Sequence, residues 1–138
     1  MHYLLDTSAL IAHHRHEAGW ERVQALFEDA DAEISIASVT LAEFARRLRE
    51  FGAGDDAARE ILADYQLLMT KVVAVDASVA LRAVEIGART PARLPLVDAL
   101  IAAAAQASDA VLVHRDPHMA AIPSNLVKQV QLASKGAT

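Results

Sequence analysis

No cysteine occurs in the chain of 138 residues, which removes disulfides, thiolate zinc sites and cysteine nucleophiles together. No stretch reaches the ~18 uncharged apolar residues of a membrane span. The N-terminus has no basic region and Asp6 interrupts its apolar run, so the start does not read as a signal peptide. A soluble cytoplasmic protein is the expectation. Aromatic residues are scarce at 4%, against 54% hydrophobic residues, so the core is aliphatic and alanine-rich. That apolar share is high for a short chain, and it points to surface left over for a partner or a second copy. Positive charge is short as well. The net charge is −5, whereas a protein that holds nucleic acid mainly by neutralising phosphates is usually basic. A simple DNA-binding module is therefore disfavoured. The objection weakens if acids gather round metal ions, since two divalent cations would cancel most of that charge.

What the chain does contain alternates between two periodicities. Residues 3–5 (YLL) are an apolar run without alternation, as in a strand buried on both faces. Residues 33–38 (EISIAS) alternate in the manner of a strand. Residues 72–75 and 111–113 read as a third and fourth strand, and 127–132 (VKQVQL) as a final edge strand. Helical spacing covers 7–15, 17–27, 39–51, 57–69, 77–88 and 96–107, with a short helical turn from Asp116-Pro117. Trp20 falls on an apolar helix stripe and is expected in the core. Gly52 and Gly54 stop the third helix, Asp55-Asp56 suit the dipole at the start of the fourth, and Asp76 caps the fifth. There is no internal repeat, linker or low-complexity segment. Strands alternating with helices predict a single α/β domain over 1–138, with a mainly parallel central sheet of four to five strands in a three-layer arrangement.

Several titratable residues stand out from this framework. His13, His14 and His16 look like a metal-binding tract, but no acid-rich motif surrounds them, and a surface cluster near a helix end is the expectation. Asp6 ends the first strand, where it either caps the following helix or faces the ligand site that open α/β sheets place at strand carboxyl ends. Asp116 stands in the same relation to the fourth strand, again with capping as the alternative. Asp98 lies in LPLVDALIAAAA, a helix so apolar that a carboxylate on it needs a cation, a hydrogen-bond network, a raised pKa, or water access near the helix start. Glu43 sits early in its helix, with Arg46 and Arg47 in place for a surface ion pair. In a parallel sheet all four acids can meet at one edge, and hard oxygen ligands of this kind suit Mg²⁺ or Mn²⁺.

The order and context of these residues resemble the PIN-domain family, and specifically VapC-like toxin ribonucleases. The likeness rests on YLLDTSAL, on Glu43 in the helix after the second strand, on LPLVDALIAAAA and on VLVHRDPHM. It implies a PIN-like nuclease domain in which Asp6, Glu43, Asp98 and Asp116 bind one or two divalent ions, Mg²⁺ or Mn²⁺, that activate water to cut RNA. Ser8 matches a polar position that helps order the site. The family often has Thr or Ser where this chain has His114, and Phe where it has Met119. His114 is then a hydrogen-bond substitute, a substrate contact or the mark of a weaker site. Arg46, Arg47, Arg49 and Arg115 are candidate phosphate contacts, with a solvated helix face the alternative for the first three. The resemblance further implies a homodimer and a small cognate antitoxin, both covering apolar surface on the helices at 39–51 and 57–69. The alternative within the family is an inactive interaction domain. A haloacid-dehalogenase-like phosphatase would want a second Asp where Ser8 stands, and a receiver-type signalling domain would want paired acids where Asp6 stands alone.

Overall fold

Successive side chains of the first strand point to opposite faces, and this sets the layers. In the computed structural model, which describes residues 1–133, Leu4 and Leu5 are both fully buried, yet they belong to two different core clusters on opposite faces of one sheet. The same division separates Leu112 from Val113, as expected of a period of two. The strands are β1 (His2–Leu5), β2 (Glu33–Ala37), β3 (Lys71–Val73), β4 (Val111–His114) and β5 (Gln129–Gln131). All pair in parallel, in the order β3-β2-β1-β4-β5. The α/β class with a parallel sheet flanked by helices is borne out. The third strand begins one residue earlier than the sequence suggests and ends at Val73.

Among the described residues, seven helices cover the two faces: α1 (Thr7–Arg15), α2 (Trp20–Glu28), α3 (Ser38–Glu50), α4 (Asp55–Leu68), α5 (Ala77–Arg89), α6 (Leu96–Ala107) and α7 (Pro117–Ala120). On one face Leu10, Val23, Phe44, Leu48, Ala58 and Tyr65 from α1 to α4 pack beneath Leu5, Ile34, Ile36 and Val113. On the other, α5 and α6 close over Leu4 and Leu112 through small side chains, and Ala102 to Ala105 are all completely buried. None of the described helices is long and apolar enough to cross a membrane.

Two expectations need correction. The helical pattern at 17–27 does not run from Glu17: α1 ends at His16 in the left-handed region and α2 begins only at Trp20. Gly19 makes the break possible, because its φ of 96° suits glycine and a Cβ there would lie 2.9 Å from Cβ of Leu132. Trp20 is half-buried rather than core, stacked face to face on the His16 ring at 4.0 Å. In the histidine tract, His14 and His16 are exposed, in keeping with a surface cluster near a helix end. His13 is half-buried and bridges Tyr65 Oη and Gln24 Oε1, at 2.6 and 2.7 Å, while His16 is taken by Trp20.

Candidate active site

In the strand order β3-β2-β1-β4-β5 the chain switches direction between β1 and β4, and the crevice beyond the carboxyl ends of those two strands is where such sheets hold ligands. Asp6 directly follows β1, and Asp116 lies two residues beyond β4. Asp98 stands in the first turn of α6 and Glu43 in the middle of α3. All four line one cleft. The sequence-derived grouping is what the fold brings together.

Each carboxylate is held differently. Asp6 is only 3% exposed, and its Oδ1 accepts from the Ala9 backbone at 2.8 Å and from Ser8 Oγ at 2.7 Å. Capping and facing the cleft, alternatives in the sequence, are thus the same placement. Ser8 Oγ also accepts the Arg115 backbone N–H at 2.9 Å, tying the start of α1 to the chain leaving β4. Glu43 takes no arginine. Thr7 Oγ1 donates to its Oε1 at 2.6 Å, while Arg46 and Arg47 pair with Glu50. Asp116 accepts at Oδ1 from the His118 backbone at 2.9 Å and lies 3.1 Å from the His118 ring. Ligand atoms of Asp98, Asp116 and His118 all lie within 4.8 Å of one another. His118 was not singled out in the sequence, although it stands in the quoted segment VLVHRDPHM, where Asp-x-His was the available signal.

The supporting residues divide in the same concrete way. His114 is completely buried. Its Nδ1 accepts the Asp116 backbone N–H at 3.2 Å and its Nε2 meets Gln129 Oε1 at 2.7 Å, so it orients the Asp116 backbone and cannot reach a substrate. Burial pushes its pKa down. Arg115 lines the cleft, yet its guanidinium is taken by Glu17 Oε1 and the Ala18 carbonyl. Arg47 lines the cleft as well, whereas Arg46 and Arg49 do not, and Arg49 pairs with Asp55. Arg15, Glu17 and Phe51 also line it, and only the fold reveals them.

Electrostatics of this arrangement favour protons or cations. Burial, with Asp116 and Asp98 nearby, pushes Asp6 up to about 7 despite its two hydrogen bonds. Burial again, then the nearby Asp116 and Glu43 carboxyls, raises Asp98 to about 7. Among the described residues no lysine or arginine pairs with any of the four acids. A cluster of oxygen donors that otherwise must share protons fits a hard divalent cation.

The family model described as PIN domain matches residues 3–125. None of the curated proteins matches the chain. Among solved structures, VapBC2 from Rickettsia felis bound to a promoter DNA fragment is similar with a TM-score of 0.75 at 20% identity, covering 95% of this chain and 98% of that one. VapBC-5 from Mycobacterium tuberculosis, of a toxin–antitoxin family, gives 0.65 at 24% identity over 94% and 98% of the two chains. The sarcin–ricin loop cleaving toxin VapC20, also from Mycobacterium tuberculosis, gives 0.69 at 20% identity over 86% and 93%. At these identities the likeness is one of fold.

The raised carboxyl pKa values have a sign that can be measured. Asp6 and Asp98 keep protons in the folded chain up to about pH 7, while an unfolded Asp releases its proton near 3.9, so their contribution is full below about pH 4 and is lost as pH rises through 7. In EDTA, the urea midpoint should fall between about pH 5 and pH 8, and Asp6→Asn should flatten that fall and raise the midpoint at pH 8. An Asp6→Asn protein with the parent's pH profile would show that Asp6 ionises freely.

Proposed function

The chain belongs to the PIN domain family, and from that premise we propose that it is a divalent-metal-dependent endoribonuclease, the toxin of a toxin–antitoxin pair. The observation that carries the proposal is the meeting of Asp6, Glu43, Asp98 and Asp116 in one cleft at the switch point of the sheet, with no lysine or arginine paired to any of them among the described residues. The similar structures support it, since VapBC-5 is described as part of a toxin–antitoxin system and VapC20 as a toxin that cleaves the sarcin–ricin loop. The domain is taken to span 1–138 and to work in the cytoplasm.

Asp6, Glu43, Asp98 and Asp116 would hold Mg²⁺ or Mn²⁺, with His118 close enough to share in it. When bound, such an ion lowers the pKa of water and neutralises charge on the phosphate undergoing hydrolysis. The chain's own part is positional. Ser8 fixes the Asp6 carboxyl, Thr7 fixes Glu43, and buried His114 holds the backbone of Asp116. Arg115, clamped by Glu17, braces the segment joining β4 to α7. Asp98, held protonated up to about pH 7 by burial and its acidic neighbours, must release its proton before it can ligate, so metal affinity rises with pH. No protein nucleophile is required.

Partners follow from the surface. Phe44, Leu48, Ala58 and Tyr65 of the α3–α4 hairpin are buried, but Phe51, Leu67 and Leu68 remain exposed, as do Leu81, Val84 and Leu96 elsewhere. A second copy and a small antitoxin are the proposed covers for this surface.

Two outcomes test this reading. Asp98→Asn keeps the side-chain shape and removes a ligand charge, so Mn²⁺-dependent cleavage of single-stranded RNA should fall by about 100-fold or more with an unchanged circular dichroism spectrum. Parent-level cleavage by that variant would remove Asp98 from the reaction. Sedimentation at micromolar concentration should give the mass of two chains, and a 14.8 kDa species at every loading would contradict the homodimer.

A further inference from the structure

Two helices that border the cleft run side by side from its acidic floor to its mouth. At the floor Thr7 of α1 contacts Glu43 of α3, and at the mouth Arg15 of α1 contacts Phe51 just past the end of α3. Thr7 to Arg15 and Glu43 to Phe51 are the same sequence interval, about 12 Å of helix axis. The mouth carries two cations on one ring: the Arg15 guanidinium carbon is 3.8 Å from the Phe51 centroid and that of Arg47 is 4.7 Å from it. All three residues line the same cleft as the four acids. We propose that Arg15 and Arg47, seated on Phe51, form a phosphate subsite that grips the RNA strand a short way along from the bond being cut.

The proposal rests on the ribonuclease reading above and adds to it a place where the backbone is held. The acid-lined floor repels RNA until cations neutralise it, so a strand entering the cleft needs an attractive contact elsewhere. Arg115 cannot supply it, being 12% exposed and taken on two sides, whereas the Arg15 and Arg47 side chains are 42% and 45% exposed. Their present partners, Glu17 and Glu50, form solvent-facing ion pairs of small worth, and each guanidinium keeps further N–H groups for a phosphate. Stacking on an aromatic face restrains both side chains before ligand arrives, which reduces the ordering cost of binding. Arg46 and Arg49 lie outside the cleft and serve as controls.

The experiment measures binding of fluorescently labelled oligo(U) RNA to the full chain carrying Asp98→Asn, in Mg²⁺ and at several salt concentrations. Arg15→Gln and Arg47→Gln should each weaken binding and lower the slope of log affinity against log salt by about 0.7, and together by about 1.4. Phe51→Leu, which removes the ring and no charge, should weaken binding without that loss of slope, and Arg49→Gln should match the parent. Parent-like affinity and slope in the Arg15→Gln/Arg47→Gln protein would overturn the subsite, and parent-like binding by Phe51→Leu would overturn the seat on the ring. An unsubstituted chain that neither binds nor cleaves RNA would overturn the ribonuclease reading and the subsite with it. Intact cleavage beside an unaffected double variant would overturn the subsite alone.

Discussion

Asp6 is a carboxylate at the end of the central strand, nearly sealed from solvent, with Asp98 and Asp116 close enough to raise its pKa further. Burying such a group is costly, and the surrounding chain is arranged to make it tolerable. The Ala9 N–H and Ser8 hydroxyl stabilise it, and the same Ser8 oxygen anchors the backbone beyond β4. Its position therefore fixes the start of α1, the exit of β4 and the approach of Asp116 together.

From that fixed point the cleft extends along helices whose other faces supply the core. α1 and α3 each present apolar residues beneath the sheet, Leu10 on one and Phe44 with Leu48 on the other. Their opposite edges carry Thr7, Glu43, Arg15 and Arg47 into the cleft. On the second face, close packing through Ala102 to Ala105 lets α6 lie near the sheet, with Asp98 in its first turn brought beside Asp116. Core packing and site geometry are thus two sides of the same helices.

Most of the architecture was legible because it rests on local pattern. The YLL and VLV runs, the alternation in EISIAS and the apolar stretch of α6 each fixed an element, and alternating elements fixed a parallel sheet. The grouping of Asp6, Glu43, Asp98 and Asp116 followed, since strand ends and flanking helices of such a sheet share an edge. Contacts between distant parts of the chain were not legible. Glu43 had Arg46 and Arg47 at helical spacing, yet its partner is Thr7, and Arg115 reaches back to Glu17. The break between α1 and α2 depends on a left-handed His16 and on Gly19 meeting Leu132, which no local periodicity records. Trp20 left the core for the same reason, since the shifted helix start presents it to His16.

The central claim is that the clustering of these acids makes sense as a seat for divalent cations. Crystals soaked in Mn²⁺ and measured for anomalous scattering test it most directly. The account predicts a peak bounded by carboxyl oxygens of Asp6, Asp98 and Asp116, with Glu43 within reach directly or through water. A cleft without anomalous density at saturating Mn²⁺ would contradict it.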